Sequence, residues 1–141
     1  MNEKVLRTLE YNKILDQLTE YAFSADAKSR CQKLRPITDR AQIEQLQQQT
    51  SDALSRLFKY GSLSFSGVTD IRDSLKRLEI GGALSAIELL RVCSLLESAK
   101  RAKAFARSQD DSDQPDDSLT GLFAGIEPLT PLCDEIRRCI L

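Results

Sequence analysis

A chain of 141 residues is long enough for one compact domain. With 29% charged residues and a formal charge of −1, it lacks the basic surplus that drives a small dedicated nucleic-acid binder onto phosphates. No apolar run approaches the roughly 18 residues of a membrane span and no signal-peptide hydrophobic region opens the chain, so a cytoplasmic location is expected.

Helix punctuation divides the chain into successive helical segments. The first is expected from Lys4 to Ala22, with Val5, Leu6, Leu9, Ile14, Leu15 and Leu18 at three-and-four spacing. Ser24 caps a short second helix that carries Asp26 in its first turn and ends near Leu34, before Pro36. Thr38 or Asp39 caps the third, which reaches Tyr60 and stops at Gly61. Its apolar positions, Ile43, Leu46, Thr50, Ala53, Leu57 and Tyr60, alternate threes and fours, and Leu54 and Phe58 widen the stripe. A seam of that period predicts near-parallel packing along another long helix, either within the chain or as a coiled coil with a second one.

Residues Gly61 to Gly67 read as a loop, and Thr69 or Asp70 opens a fourth helix with Ile71, Leu75 and Leu78 facing inward before Gly81-Gly82. The fifth helix has the clearest start. Ser85 and Glu88 form a capping box, Leu84 and Leu89 a hydrophobic staple, and the helix should run to about Ser108. Gln109 to Ser118 holds five aspartates and a proline and reads as a flexible acidic loop. A short helix is expected around Leu119–Glu127, and Thr130-Pro131 opens a final helix through Ile136 and Ile140. That helix meets Cys139-Ile140-Leu141 without a stop signal, which predicts a chain cut short.

The search for chemistry returns mostly exclusions. The sequence has no histidine, which removes Ser–His–Asp and Cys–His arrangements and the commonest general base. The six glycines fit neither G-x-x-x-x-G-K-[ST] nor G-x-G-x-x-G. The stretch Asp110 to Asp117 lacks the glycine and distal glutamate of a calcium loop, so a solvated loop is preferred to a metal site. Cys31, Cys93, Cys133 and Cys139 include no C-x-x-C pair and are expected to be reduced and mostly buried. No catalytic residue and no metal or cofactor ligand is therefore assigned. Three basic clusters remain: Lys28/Arg30/Lys33/Arg35/Arg40, Arg72/Lys76/Arg77, and Lys100/Arg101/Lys103/Arg107. The third is the candidate for phosphate contacts, set against a solvated face, helix-dipole complementarity or an i,i+4 pair such as Glu97–Arg101.

A family likeness emerges from Leu9-Glu10 with Ile14, from Ala27-Lys28 through Leu34-Arg35-Pro36-Ile37-Thr38-Asp39 to Ile43, from Gly67-Val-Thr-Asp-Ile-Arg72, and from Arg77-x-x-x-Gly81-x-x-Leu84-Ser85 into Glu88-Leu89. In this order the anchors resemble the start of the core domain of MutS-type ATPases, and more closely the second bacterial branch, MutS-two. They span about residues 3–100. Ala27-Lys28 stands where the family often has a small residue and glycine ahead of its arginine.

The resemblance implies an all-α, multi-helix bundle with long packed helices, a single helical segment over residues 1–141 that forms part of a core and lever region. It implies a parent that binds ATP and magnesium, forms a homodimer and carries a C-terminal nuclease domain. That parent would act on branched DNA, suppressing recombination, or on collided ribosomes. None of the family's ATP, metal or nuclease residues falls within these 141 positions, so no enzymatic activity is expected of this chain. Its partners would be the remaining domains of its own chain, with DNA or ribosome reached through the parent and no membrane. The alternatives are a free-standing helical protein-interaction module and direct nucleic-acid binding through Lys100–Arg107.

Overall fold

The computed structural model describes residues 3–106 and 116–140, and among these there are helices and no strand. The helices are α1 (Glu3–Thr8), α2 (Tyr11–Glu20), α3 (Ala25–Gln32), α4 (Arg40–Tyr60), α5 (Arg72–Glu79), α6 (Ala86–Ala106), α7 (Thr120–Ala124) and α8 (Thr130–Ile140). The all-α bundle read from the sequence holds. Where the sequence suggested one helical segment over residues 1–141, the chain folds as two compact units, Met1–Thr38 and Asp39–Leu141.

In the first unit the expected Lys4–Ala22 helix is broken. Glu10 takes a left-handed backbone, φ 54°, between α1 and α2, and its carboxylate pairs with Lys13 Nζ at 2.6 Å. One continuous helix would set Leu6 and Leu15 about 180° apart around its axis. The break lets both turn inward, and each is only 5% exposed. α3 starts as expected, with Ser24 Oγ accepting from the Ala27 N–H at 3.1 Å.

The second unit is organised on α6. The sequence builds its N-terminus as a capping box. The Ser85 N–H donates to Glu88 Oε2 at 2.8 Å, and the Glu88 N–H to Ser85 Oγ at 3.4 Å. Midway along, Cys93 packs with Cys133 and Ile136 of α8, and Leu89, Val92, Leu96 and Ile140 close around them. The loop before α5 lies on the same helix, where Ser98 Oγ donates to the Ser66 carbonyl at 3.0 Å. Gly67 makes that approach possible. It has φ 88°, and a Cβ there would stand 3.3 Å from Ser98 Oγ and 3.4 Å from the Ser94 carbonyl. α4 begins at Asp39, whose Oδ1 accepts from the Gln42 N–H at 2.7 Å, and ends at Gly61 with φ 85°.

Four expectations are corrected here. α4 turns only part of its apolar stripe inward: Arg56 is its buried residue and Ile43, Ala53 and Tyr60 are half-buried, while Leu46, Leu54, Leu57 and Phe58 are exposed. On α5, Leu75 and Leu78 are exposed, because the helix is tied to α6 through its polar side, by Ser74 and Arg77 on Glu88. α7 stops at Ala124 instead of reaching Glu127, since Gly125 caps it and Leu129, at φ 42°, redirects the chain into α8. Only two cysteines, Cys93 and Cys133, are buried. Cys139, about 120° round α8 from Cys133, is exposed, and Cys31 is half-buried.

Candidate functional site

The basic end of α6 carries the candidate phosphate residues, and most of its described cations are engaged within the fold. Arg101 Nη2 donates to the Ser66 carbonyl at 2.9 Å and to Ser98 Oγ at 2.8 Å, so it helps fasten the Gly61–Gly67 loop. Lys103 points to the other side, with Nζ 2.8 Å from the Ile126 carbonyl and 3.8 Å from Glu127. Lys100 is exposed at the edge of a groove of about 340 Å³ that Lys103, Ala104, Glu127 and Pro128 also line. Arg107 and the acidic residues up to Pro115 lie outside the described residues. The pair weighed between Glu97 and Arg101 is replaced by one between Glu97 and Arg137 of α8.

The strongest polar constellation is one that the sequence did not single out. Arg56, with its side chain 3% exposed, grips Asp117 through two bonds of 2.7 Å from Nε and Nη2. Its guanidinium also reaches Thr120 Oγ1 at 3.3 Å and the Ala106 carbonyl at 3.5 Å, and it stacks over the Phe123 ring at 5.0 Å. Phe105 stands between Phe123 and Tyr60, with ring centroids 6.0 and 6.3 Å away. One turn earlier on α4, Asp52 accepts from the Ser118 hydroxyl at 2.6 Å and its N–H at 3.1 Å. The end of the expected acidic loop is therefore anchored on α4.

Electrostatics follow these contacts. The Arg56 bonds hold the Asp117 carboxyl below its ordinary range, against the opposing effect of burial, and Asp117 in turn raises Arg56. Asp52 is lowered chiefly by its bonds to Ser118. Asp70, two residues before Arg72 at the start of α5, is lowered to about 2 by its bonds to Arg72. Burial, with a bond to Cys133, pushes the Cys93 thiol up to about 11, which leaves it a packing group rather than a nucleophile.

Several cations of the other two basic clusters are paired locally. Arg30 binds Asp26, Arg40 binds Glu44, Arg72 binds Asp70, and Arg77 binds Glu88. Among the described residues no three potential metal ligands come together. The described polar clusters cross-brace helices and loops; no nucleophile with an adjacent base is assembled in them.

Comparisons with known proteins supply what the geometry leaves open. No family model matches the chain. Proteins named Endonuclease MutS2 do. The one from Agathobacter rectalis is 60% identical over 141 residues, covering 100% of this chain and 18% of its own length. That of Lachnoclostridium phytofermentans is 48% identical over 145 residues, with the same coverage of 100% and 18%. That of Lachnospira eligens is 38% identical over 141 residues, covering 100% of this chain and 17% of itself. From end to end the chain is thus homologous to one stretch of Endonuclease MutS2 proteins, spanning less than a fifth of the length of those it matches.

Proposed function

We propose that this chain is the N-terminal core and lever segment of a MutS2 protein, a structural element that carries nucleotide-dependent movement toward a DNA clamp. The observation that supports it most is 60% identity across all 141 residues to a stretch making up 18% of a MutS2 chain. The architecture suits the role. α4 and α6 are each 21 residues long, about 30 Å of rigid helix. Elements of this kind carry a rotation over distance when their interfaces repack between discrete arrangements.

In this reading ATP and magnesium bind elsewhere in the longer chain, which works as a homodimer on branched DNA or on collided ribosomes in the cytoplasm. The test uses the longer protein beside the 141-residue chain. The short chain should neither hydrolyse ATP nor cut DNA, and turnover by it would overturn the proposal. In the longer protein, Ile136→Ala at the α6–α8 contact should leave basal ATP hydrolysis intact while reducing the change in DNA affinity caused by ATP. Unchanged coupling in that variant would remove the lever role.

A second reading, a helical module that binds another protein, is favoured by the exposed apolar side chains of α4 and α5. Direct nucleic-acid binding has less support, since Arg101 and Lys103 already hold loops. A titration of the short chain against DNA that showed a steep salt dependence would revive it.

A further inference from the structure

The α6–α8 contact closes on two thiols. Cys93 and Cys133 are 3% and 6% exposed and lie 40 residues apart in the chain. Cys93 Sγ sits 3.6 Å from the Cys133 carbonyl oxygen, and Cys133 Sγ sits 3.9 Å from the Cys93 carbonyl oxygen. The thiols also bond to each other. Each sulfur therefore rests against the other residue's main chain, the mutual approach that a disulfide needs, whose Cα atoms stand about 4.4–6.8 Å apart. The rest of this core, Leu89, Val92, Leu96, Ile136 and Ile140, is aliphatic. Glu97 and Arg137, one turn beyond each cysteine, pair across the same two helices.

Packing alone asks only for two small apolar side chains here, and free cysteines often serve that way. It does not ask that the two sulfurs meet. We propose that Cys93 and Cys133 are a reversible redox pair, oxidised by a small-molecule disulfide such as glutathione disulfide to a bond that locks α6 to α8. While the contact is closed, burial holds the Cys93 proton in place and keeps the oxidant out. Opening admits it. One thiol gives up its proton and attacks glutathione disulfide, forming a mixed disulfide and releasing one glutathione. As the helices close again, the second thiol gives up its proton and displaces the other glutathione. The protein thiols lose two electrons and two protons, and the oxidant leaves as two glutathione thiols. Cys139, exposed and about 120° round α8 from Cys133, faces away from this contact.

Oxidation of the 141-residue chain tests it, in a Cys31→Ser/Cys139→Ser background without denaturant. After incubation with glutathione disulfide, remaining thiols are blocked with maleimide in denaturant and the chain is weighed by mass spectrometry. The expected product lacks two hydrogens, carries neither maleimide nor glutathione, and yields joined Cys93 and Cys133 peptides that dithiothreitol separates. Its urea midpoint should rise, since the bond closes a 40-residue loop in the unfolded chain. Ile136→Ala, which loosens the same contact, should link at least about tenfold faster. If that variant does not fold, the parent's linkage rate in urea below its midpoint replaces it and should climb with urea.

A glutathione adduct that persists on either cysteine would overturn the proposal. So would linkage confined to urea above the unfolding midpoint, and so would a linked chain with a lowered midpoint. A rate indifferent both to Ile136→Ala and to urea would remove the opening step. No linkage in any of these chains would leave the two thiols as packing groups and nothing more.

Discussion

Arg56 shows how one residue can organise this fold while looking like surface. A buried arginine is tolerated only when every charge and donor finds a partner, and here Asp117, Thr120 and the Phe123 ring supply them. Arg56→Ala would leave Asp117 without its cation, and we expect a loss of about 3 kcal/mol in urea unfolding of the 141-residue chain. A loss under about 1 kcal/mol would show the pair to be ornamental.

Asp117→Asn tests the same contact through pH. The native carboxyl is lowered from its ordinary 3.8, so its contribution is complete above that value and fades as pH falls toward the lowered native one. The variant should be less stable than the parent at pH 7, and the gap should close in acid as the parent's own Asp117 takes up a proton. Tyr60 offers a contrast. Its buried hydroxyl has no hydrogen-bond partner among the described residues, so Tyr60→Phe should be neutral or stabilising by about 1 kcal/mol, read from the thermal midpoint.

None of this node was legible beforehand. Arg56 and Asp117 lie 61 residues apart. One sat outside the apolar stripe read for its helix, the other in a run of aspartates that read as solvated.

At the scale of elements the sequence was most informative where the physics is local. The Ser24, Asp39 and Ser85/Glu88 caps were all readable, because a cap needs only a side-chain oxygen and an N–H two or three residues on. Ser85→Ala should cost about 1 kcal/mol, seen as a lower urea midpoint. Helix faces were harder to read. Periodicity correctly marked an apolar stripe on α4, but not whether anything in the chain would cover it. Phe58→Ser should accordingly change the stability of the 141-residue chain by less than about 0.5 kcal/mol, whereas Ile136→Ala, which opens the α6–α8 core, should cost about 2–4 kcal/mol. The break between α1 and α2 was missed for a related reason. Every residue from Lys4 to Ala22 tolerates a helix, and only the need to bury both Leu6 and Leu15 interrupts it.

For the whole molecule, the two units should differ in how firmly they hold. The first buries only Leu6 and Leu15 among its described residues, and a core that small supports little independent stability. Amide hydrogen exchange should be slowest around Cys93 and Ile136 in α6 and α8 and much faster in α2 and α3. Equal protection in both would contradict this distribution.

The basic end of α6 was also found from sequence, and two of its described cations turned out to serve as braces. The exclusion of histidine chemistry, the helical class, the cap positions and the MutS-like anchors came from the chain alone, since composition and short-range spacing determine them. Which residues of α4 are buried, that Arg56 is among them, and that the wider apolar face stays open were decided by tertiary structure. Burial is a property of what lies opposite a side chain, and no window of sequence contains both partners.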